Sequence, residues 1–219
     1  MVAKAIPHVW DLVTPEAAWQ ARVEGADRAL RDALGDTTSS ADIWHAAVAA
    51  RRTVDACNVD GRALFAAHVH LDWPAEPHLA LWHASTLLRE HRGDGHVAAL
   101  VAADIDGCGT HVMADAAGAV ARKQTQKNRG WSDDDWTAAA NRLADLELLT
   151  PDGTLTAQGR DLWADVAART NHAASRPWDV LADRDRDALV DTWRRLSNTI
   201  YDAGVVPLPN PIGVTRLAP

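Results

Sequence analysis

Apolar residues fall at helical spacing along most of this chain, and β-branched runs that would build sheets are scarce. Alanine and leucine, both strong helix formers, are abundant. This pattern confines the chain to a mostly α fold. The 219 residues suffice for one large domain or two small ones, and 47% apolar content excludes a disordered chain. Ten tryptophans stand against one tyrosine and one phenylalanine. Trp19, Trp44, Trp82, Trp136, Trp163 and Trp193 sit at core-like helical spacings, and Trp82 comes first as a residue that could stack on an aromatic ligand.

Punctuation divides the pattern. Thr14-Pro15-Glu16 offers an N-cap hydroxyl, a first-turn proline and an acid at the positive end of the helix dipole, so a helix should run from there to Gly35. A second covers about 42–56, with Ile43, Ala47 and Val54 on one face. Residues 62–72 read as a third, broken by Trp73 to Pro77. From Pro77 a helix is expected to His91, with Leu81, Ser85 and Leu88 on one side and His83, Leu87 and Glu90 on another. Gly93 is placed to stop it, and Asp94 to cap a further helix through Val97 and Val101 to Asp106-Gly107.

That junction concentrates polar groups between segments that otherwise read as buried: His83, Glu90, His91, Arg92, Asp94 and His96. Four readings stay open. His91 and Arg92 could serve the helix C-terminus while Asp94 caps the next helix and pairs with Arg92. The six could bind a small molecule, Arg92 suiting a carboxylate or phosphate, and Glu and His suiting hydroxyl or amine groups; His68, His70 and Trp73 could line the same cavity. A Glu–His pair could move protons within that site. Glu90, His91, Asp94 and His96 have metal-ligand chemistry, but His91 and His96 match no standard zinc spacing, so no metal or other cofactor is assigned.

Further on, Ser132 to Asp135 starts a helix with the chemistry of a capping box. Leu148-Leu149 closes it, Asp152-Gly153 makes a hairpin tip, and Leu155-Thr156 with Gly159 opens a long helix. A last helix spans about 186–203, and an extended tail follows Val205. Helix, Leu-Leu, Asp-Gly turn, Leu-Thr, Gly, long helix resembles the end of MarR-type winged-helix domains over about 110–175. Trp82 to Leu100, Asp106-Gly107, Arg129 to Ser132 and Pro207 to Gly213 extend the likeness. Together they resemble an actinobacterial family of mostly uncharacterised helix-turn-helix, or MarR-like, proteins. Members carry a further N-terminal segment, so the resemblance implies that this chain begins inside the shared pattern, at Val2 to Trp10. Part of a pocket could then be missing, or another chain could supply it.

A recognition helix meets DNA with its N-terminal end, and here that end carries Asp133, Asp134 and Asp135. The expected wing tip has no Arg or Lys. The nearby basic cluster is Arg122, Lys123, Lys127 and Arg129, which reads as phosphate contacts or as a solvated face. The formal net charge is −8, and neither half is basic. Cys57 and Cys108 exclude a disulfide framework. No segment has the ~18–20 apolar residues of a membrane span and no leader is evident, so a cytoplasmic protein is expected.

The expectation is therefore a mostly α protein: an N-terminal helical part over 1–107, and a C-terminal winged helix with a short β-wing over 108–219. The first function is binding a small polar or anionic molecule at the junction, with enzymatic activity left open. The alternative is a ligand-responsive MarR-like DNA-binding regulator. A homodimer suits either.

Overall fold

The structure is a computed structural model that describes residues 8–206, Asn210, Ile212, Val214 and Arg216. Its helices are α1 (His8–Leu12), α2 (Pro15–Leu34), α3 (Ala41–Asp55), α4 (Ala63–Val69), α5 (Pro77–Ala102), α6 (Gly107–Ala116), α7 (Arg122–Arg129), α8 (Asp133–Asp145), α9 (Ala157–Ser175) and α10 (Asp183–Asp202). Short 3-10 turns cover Gly35–Ser39 and Arg176–Val180. Helix starts follow side-chain caps. Thr14 Oγ1 accepts the Ala17 N–H at 3.2 Å, and Thr156 Oγ1 that of Gly159 at 2.9 Å. Ser132 and Asp135 form a reciprocal capping box.

Three sequence expectations need correction. Gly93 does not stop a helix, because α5 runs unbroken for 26 residues. Each glycine costs a helix interior about 1 kcal/mol relative to alanine, but α9 lies against this stretch. A Cβ at Gly95 would meet Arg62 Nη1 at 3.0 Å and Ala173 Cβ at 3.2 Å. Close packing thus outweighs propensity. Second, Leu148-Leu149 does not close a helix. α8 ends at Asp145, and Glu147, at φ 58°, turns the chain so that both leucines enter the core.

Third, the β-wing is not a strand pair. Among the described residues it reduces to one antiparallel bridge, Leu149 with Leu155. The Thr150 N–H donates to Thr154 O at 2.9 Å, Gly153 takes φ 82°, and Thr156 already caps α9. No residues remain to lengthen a ladder, so the described fold is all-α. Boundaries also shift: α4 is shorter than 62–72 and α10 starts at Asp183. The tail after Val205 lies largely outside the described residues.

Two apolar cores form. One gathers Ile43, Val54, Phe65, Leu81 and Leu87 with Leu181 and Leu189 from far along the chain. The other gathers Ile105, Met113, Trp136, Leu143, Leu148 and Leu155 around α6, α8 and the turn. α9 packs along α5, and α10 packs against α3 and α2.

Candidate functional site

Along α5 a stripe of His78, Trp82, Ser85, Arg89 and Arg92 recurs every three or four residues, with Leu81 and Leu88 beside it. It forms one wall of a cavity of about 600 Å³. Leu30 and Leu34 of α2, Trp178, and Trp193 and Leu196 of α10 close the other sides. From His78 to Arg92 the stripe spans about 21 Å at the α-helical rise. The lining is predominantly apolar, with His78 towards one end of the stripe, Arg89 and Arg92 towards the other, and Ser85 between them, as small-molecule sites usually are.

The structure separates the six predicted residues. His91 and Arg92 line the cavity. His91 is 3% exposed, with its ring edge-on to Phe65 at 5.2 Å. Arg92 Nη2 donates to Asn171 Oδ1 at 3.1 Å, and among the described residues no carboxylate lies within ion-pair distance of it. The expected Arg92–Asp94 pair is therefore absent. Asp94 is buried and points the other way. Its Oδ2 accepts the Phe65 N–H at 2.9 Å, capping the N-terminal turn of α4 from a different helix. It caps nothing on its own helix, which has no start there.

His96 is tied to α9. Thr170 gives its hydroxyl hydrogen to Val166 O at 2.7 Å, so the 3.0 Å contact to Thr170 Oγ1 needs a proton on His96 Nδ1. Glu90 is engaged by the adjacent Arg89 and makes no hydrogen bond to either neighbouring histidine. Glu90, His91, Asp94 and His96 do not converge. Among the described residues no group of three or more His, Cys, Asp or Glu side chains could hold a metal ion.

His83 sits on the opposite face from the cavity, fully buried, with neither ring nitrogen hydrogen-bonded. Its ring centroid is 4.9 Å from Trp73 and 5.1 Å from Trp19. Arg51 lies over Trp73 at 4.4 Å and Arg22 over Trp82 at 5.1 Å. Trp82 stacks on Trp19 at 6.0 Å, though it also reaches the cavity wall.

Burial, reinforced by Arg22, His68 and Arg51, pushes the His83 pKa down to about 4. Burial and Arg62 do the same to His91, against a weaker opposing pull from Asp94. Both imidazoles are thus neutral in the folded protein near pH 7. In the unfolded chain they protonate near pH 6.5. Their contribution to stability is complete above about pH 6.5 and is lost as pH falls towards about 4, up to roughly 3 kcal/mol for each. Urea denaturation at stepped pH should show that loss. His83→Phe, which also removes two orphaned nitrogens, should make the acid slope shallower by its own share, up to roughly 3 kcal/mol of the loss. An unchanged slope would refute the assignment.

Three residues that position the cavity escaped the sequence reading. His78 is 5% exposed, and its Nε2 lies 2.6 Å from Asp27 Oδ1. Arg62 donates to His91 O and, at 2.8 Å, to Ala173 O, locking α4, α5 and α9 together. The visible signal for His78 was its membership of the Leu81–Ser85–Leu88 face.

α7 is joined to α8 by a short turn at 130–132. Gly130, at φ 75°, ends α7, and Trp131 Nε1 donates to His111 Nδ1 at 3.1 Å, fixing the turn. Much of the charge here is internally occupied. Arg122 and Gln126 both donate to Asp133, at 2.6 and 2.8 Å. Asp135 is used in the capping box, and Arg142 pairs with Asp106. The exposed face of α8 offers Asp134, Thr137, Ala138, Asn141 and Asp145, with no free cation. Lys123, Lys127 and Arg129 of α7 are exposed, and none pairs with a described carboxylate.

No single helix among the described residues is long and apolar enough to cross a membrane. A family model described as a helix-turn-helix family matches residues 1–207. No curated protein and no solved structure matches the chain.

Proposed function

The chain belongs to that helix-turn-helix family, and from this premise we propose that it binds a small amphipathic anion in the α5 cavity. One observation carries the reading: Arg92, with no carboxylate partner among the described residues, lines a predominantly apolar cavity. A guanidinium so placed favours a carboxylate or phosphate, and the leucines and tryptophans favour an apolar body. Neutral His91 adds a hydrogen-bonding group beside it. The site expected from sequence thereby narrows to His91 and Arg92, joined by Arg89. Glu90, Asp94 and His96 become structural supports, and His83 leaves the site.

Titration calorimetry with hexadecanoate tests this. The wild type should bind it, and Arg92→Ala should weaken binding by roughly 10- to 100-fold, the worth of a hydrogen bond to a charged group. Equal affinity in the two proteins, or no binding to the wild type, would overturn the proposal.

A second reading is favoured by the family itself and by the free Lys123, Lys127 and Arg129: a ligand-responsive, MarR-like regulator that binds DNA as a homodimer. The uncharged and acidic exposed face of α8 speaks for phosphate contact rather than base reading. Fluorescence anisotropy on duplex DNA decides. Binding that weakens steeply with salt, and is lost in a Lys123→Ala, Lys127→Ala double variant, would establish it. Absence of binding at low salt would remove it.

A further inference from the structure

The α5 stripe carries polar side chains towards both ends, and the end away from Arg92 has a defined hydrogen-bond polarity. Asp27 accepts from Arg31 at 2.8 Å as well as from His78. Arg31, then His78, hold its carboxyl below the usual range, so it remains an anion that can only accept. His78 Nε2 must therefore carry the hydrogen in this contact. In the neutral ring Nδ1 is then an acceptor. Nδ1 makes no hydrogen bond to a described residue. His78 itself lines the cavity. A buried acceptor with no partner, in an otherwise apolar pocket end, discriminates strongly between ligands that can and cannot donate to it.

We propose that His78, oriented by Asp27, is a specificity residue that accepts a hydrogen bond from a donor group at the far end of the bound anion. The inference rests on the amphipathic-anion reading and sharpens its ligand class. The ligand has a carboxylate at one end, an apolar body matching the ~21 Å stripe, and a hydroxyl or amine at the other. An ω-hydroxy long-chain acid is its simplest representative. His78 is a recognition residue here, and no reaction is implied.

Calorimetry at mildly alkaline pH, where an ordinary imidazole is neutral, should compare three probes: hexadecanoate, ω-hydroxyhexadecanoate and ω-methoxyhexadecanoate. The methoxy acid keeps the oxygen but cannot donate. The hydroxy acid should bind the wild type about tenfold more tightly than either other probe, the worth of one neutral hydrogen bond. His78→Leu should erase that preference, and His78→Gln, which keeps an acceptor, should retain part of it. Circular-dichroism melts should first show that both variants fold.

Equal binding of hydroxy and plain acids by the wild type would overturn the role of His78 and leave the anion reading intact. So would a hydroxy preference that survives in His78→Leu, or equal preference for the methoxy acid. Failure of all three probes to bind the wild type would remove both.

Discussion

Gly159→Ala should disrupt the core built around α6, α8 and the turn. A β-carbon at this position would stand 2.1 Å from the Leu148 carbonyl oxygen and 3.0 Å from its carbon. Neither atom belongs to a flexible side chain. The Leu148 N–H is held by Leu143 O at 2.8 Å, and Leu148 O accepts the Thr156 N–H at 3.1 Å. Gly159 is itself fixed by the Thr156 cap. Relief requires α9 to move off the turn, stripping Leu148, Leu149 and Leu155 from the core. The expected cost is roughly 3–5 kcal/mol, in the range of severe backbone and core disruptions. For a chain of this length that lowers the melting temperature by about 10 °C or more. Melts followed by circular dichroism will measure it, and a variant melting within two or three degrees of the parent would contradict the packing described.

Phe65→Ala should be comparably damaging in the other core. The ring is fully buried, and large-to-small changes at such sites typically cost about 3–5 kcal/mol. Phe65→Leu, which keeps most of the volume, should cost closer to 1 kcal/mol. The phenylalanine also carries a functional consequence. Its ring supports the His91 imidazole edge-on, and its backbone N–H donates to the Asp94 carboxylate. Chemical denaturation should therefore show the stability loss, and calorimetry with hexadecanoate should show weakened binding in the alanine variant beyond that in the leucine variant. Equal stability of all three proteins would exclude the assigned core.

What the sequence makes legible here is local. Thr14, Ser132 and Thr156 announce helix starts because a cap is a contact between residues three apart. The helix-turn-helix resemblance rests on the same kind of signal, and the chain belongs to a helix-turn-helix family. What fails is long-range. Gly93-Asp94-Gly95 looks like a stop followed by a cap, and locally it should be one. Only the approach of Ala173 and the Phe65 N–H, each far away in sequence, explain a glycine and an aspartate inside a helix.

The candidate site shows the same limit. His91 and Arg92 could be picked from their chemistry. Asp27 could not be joined to His78, nor Trp193 to Trp82's side of the cavity, until three helices were assembled. The wing was misjudged for a smaller reason: its turn chemistry is right, but too few residues separate Leu149 from the Thr156 cap for more than one bridge.

The return of α10 to the first core has a consequence for how the chain is made. Leu181 and Leu189 complete a core whose other fully buried members precede residue 90, whereas the second core, among the described residues, draws on nothing beyond Leu162 and Trp163 of α9. During synthesis the later segment therefore closes first, and the earlier one waits, its apolar faces uncovered, until α10 clears the ribosome. Vectorial order is inverted, and a nascent chain arrested before α10 would be the form that chaperones must shield.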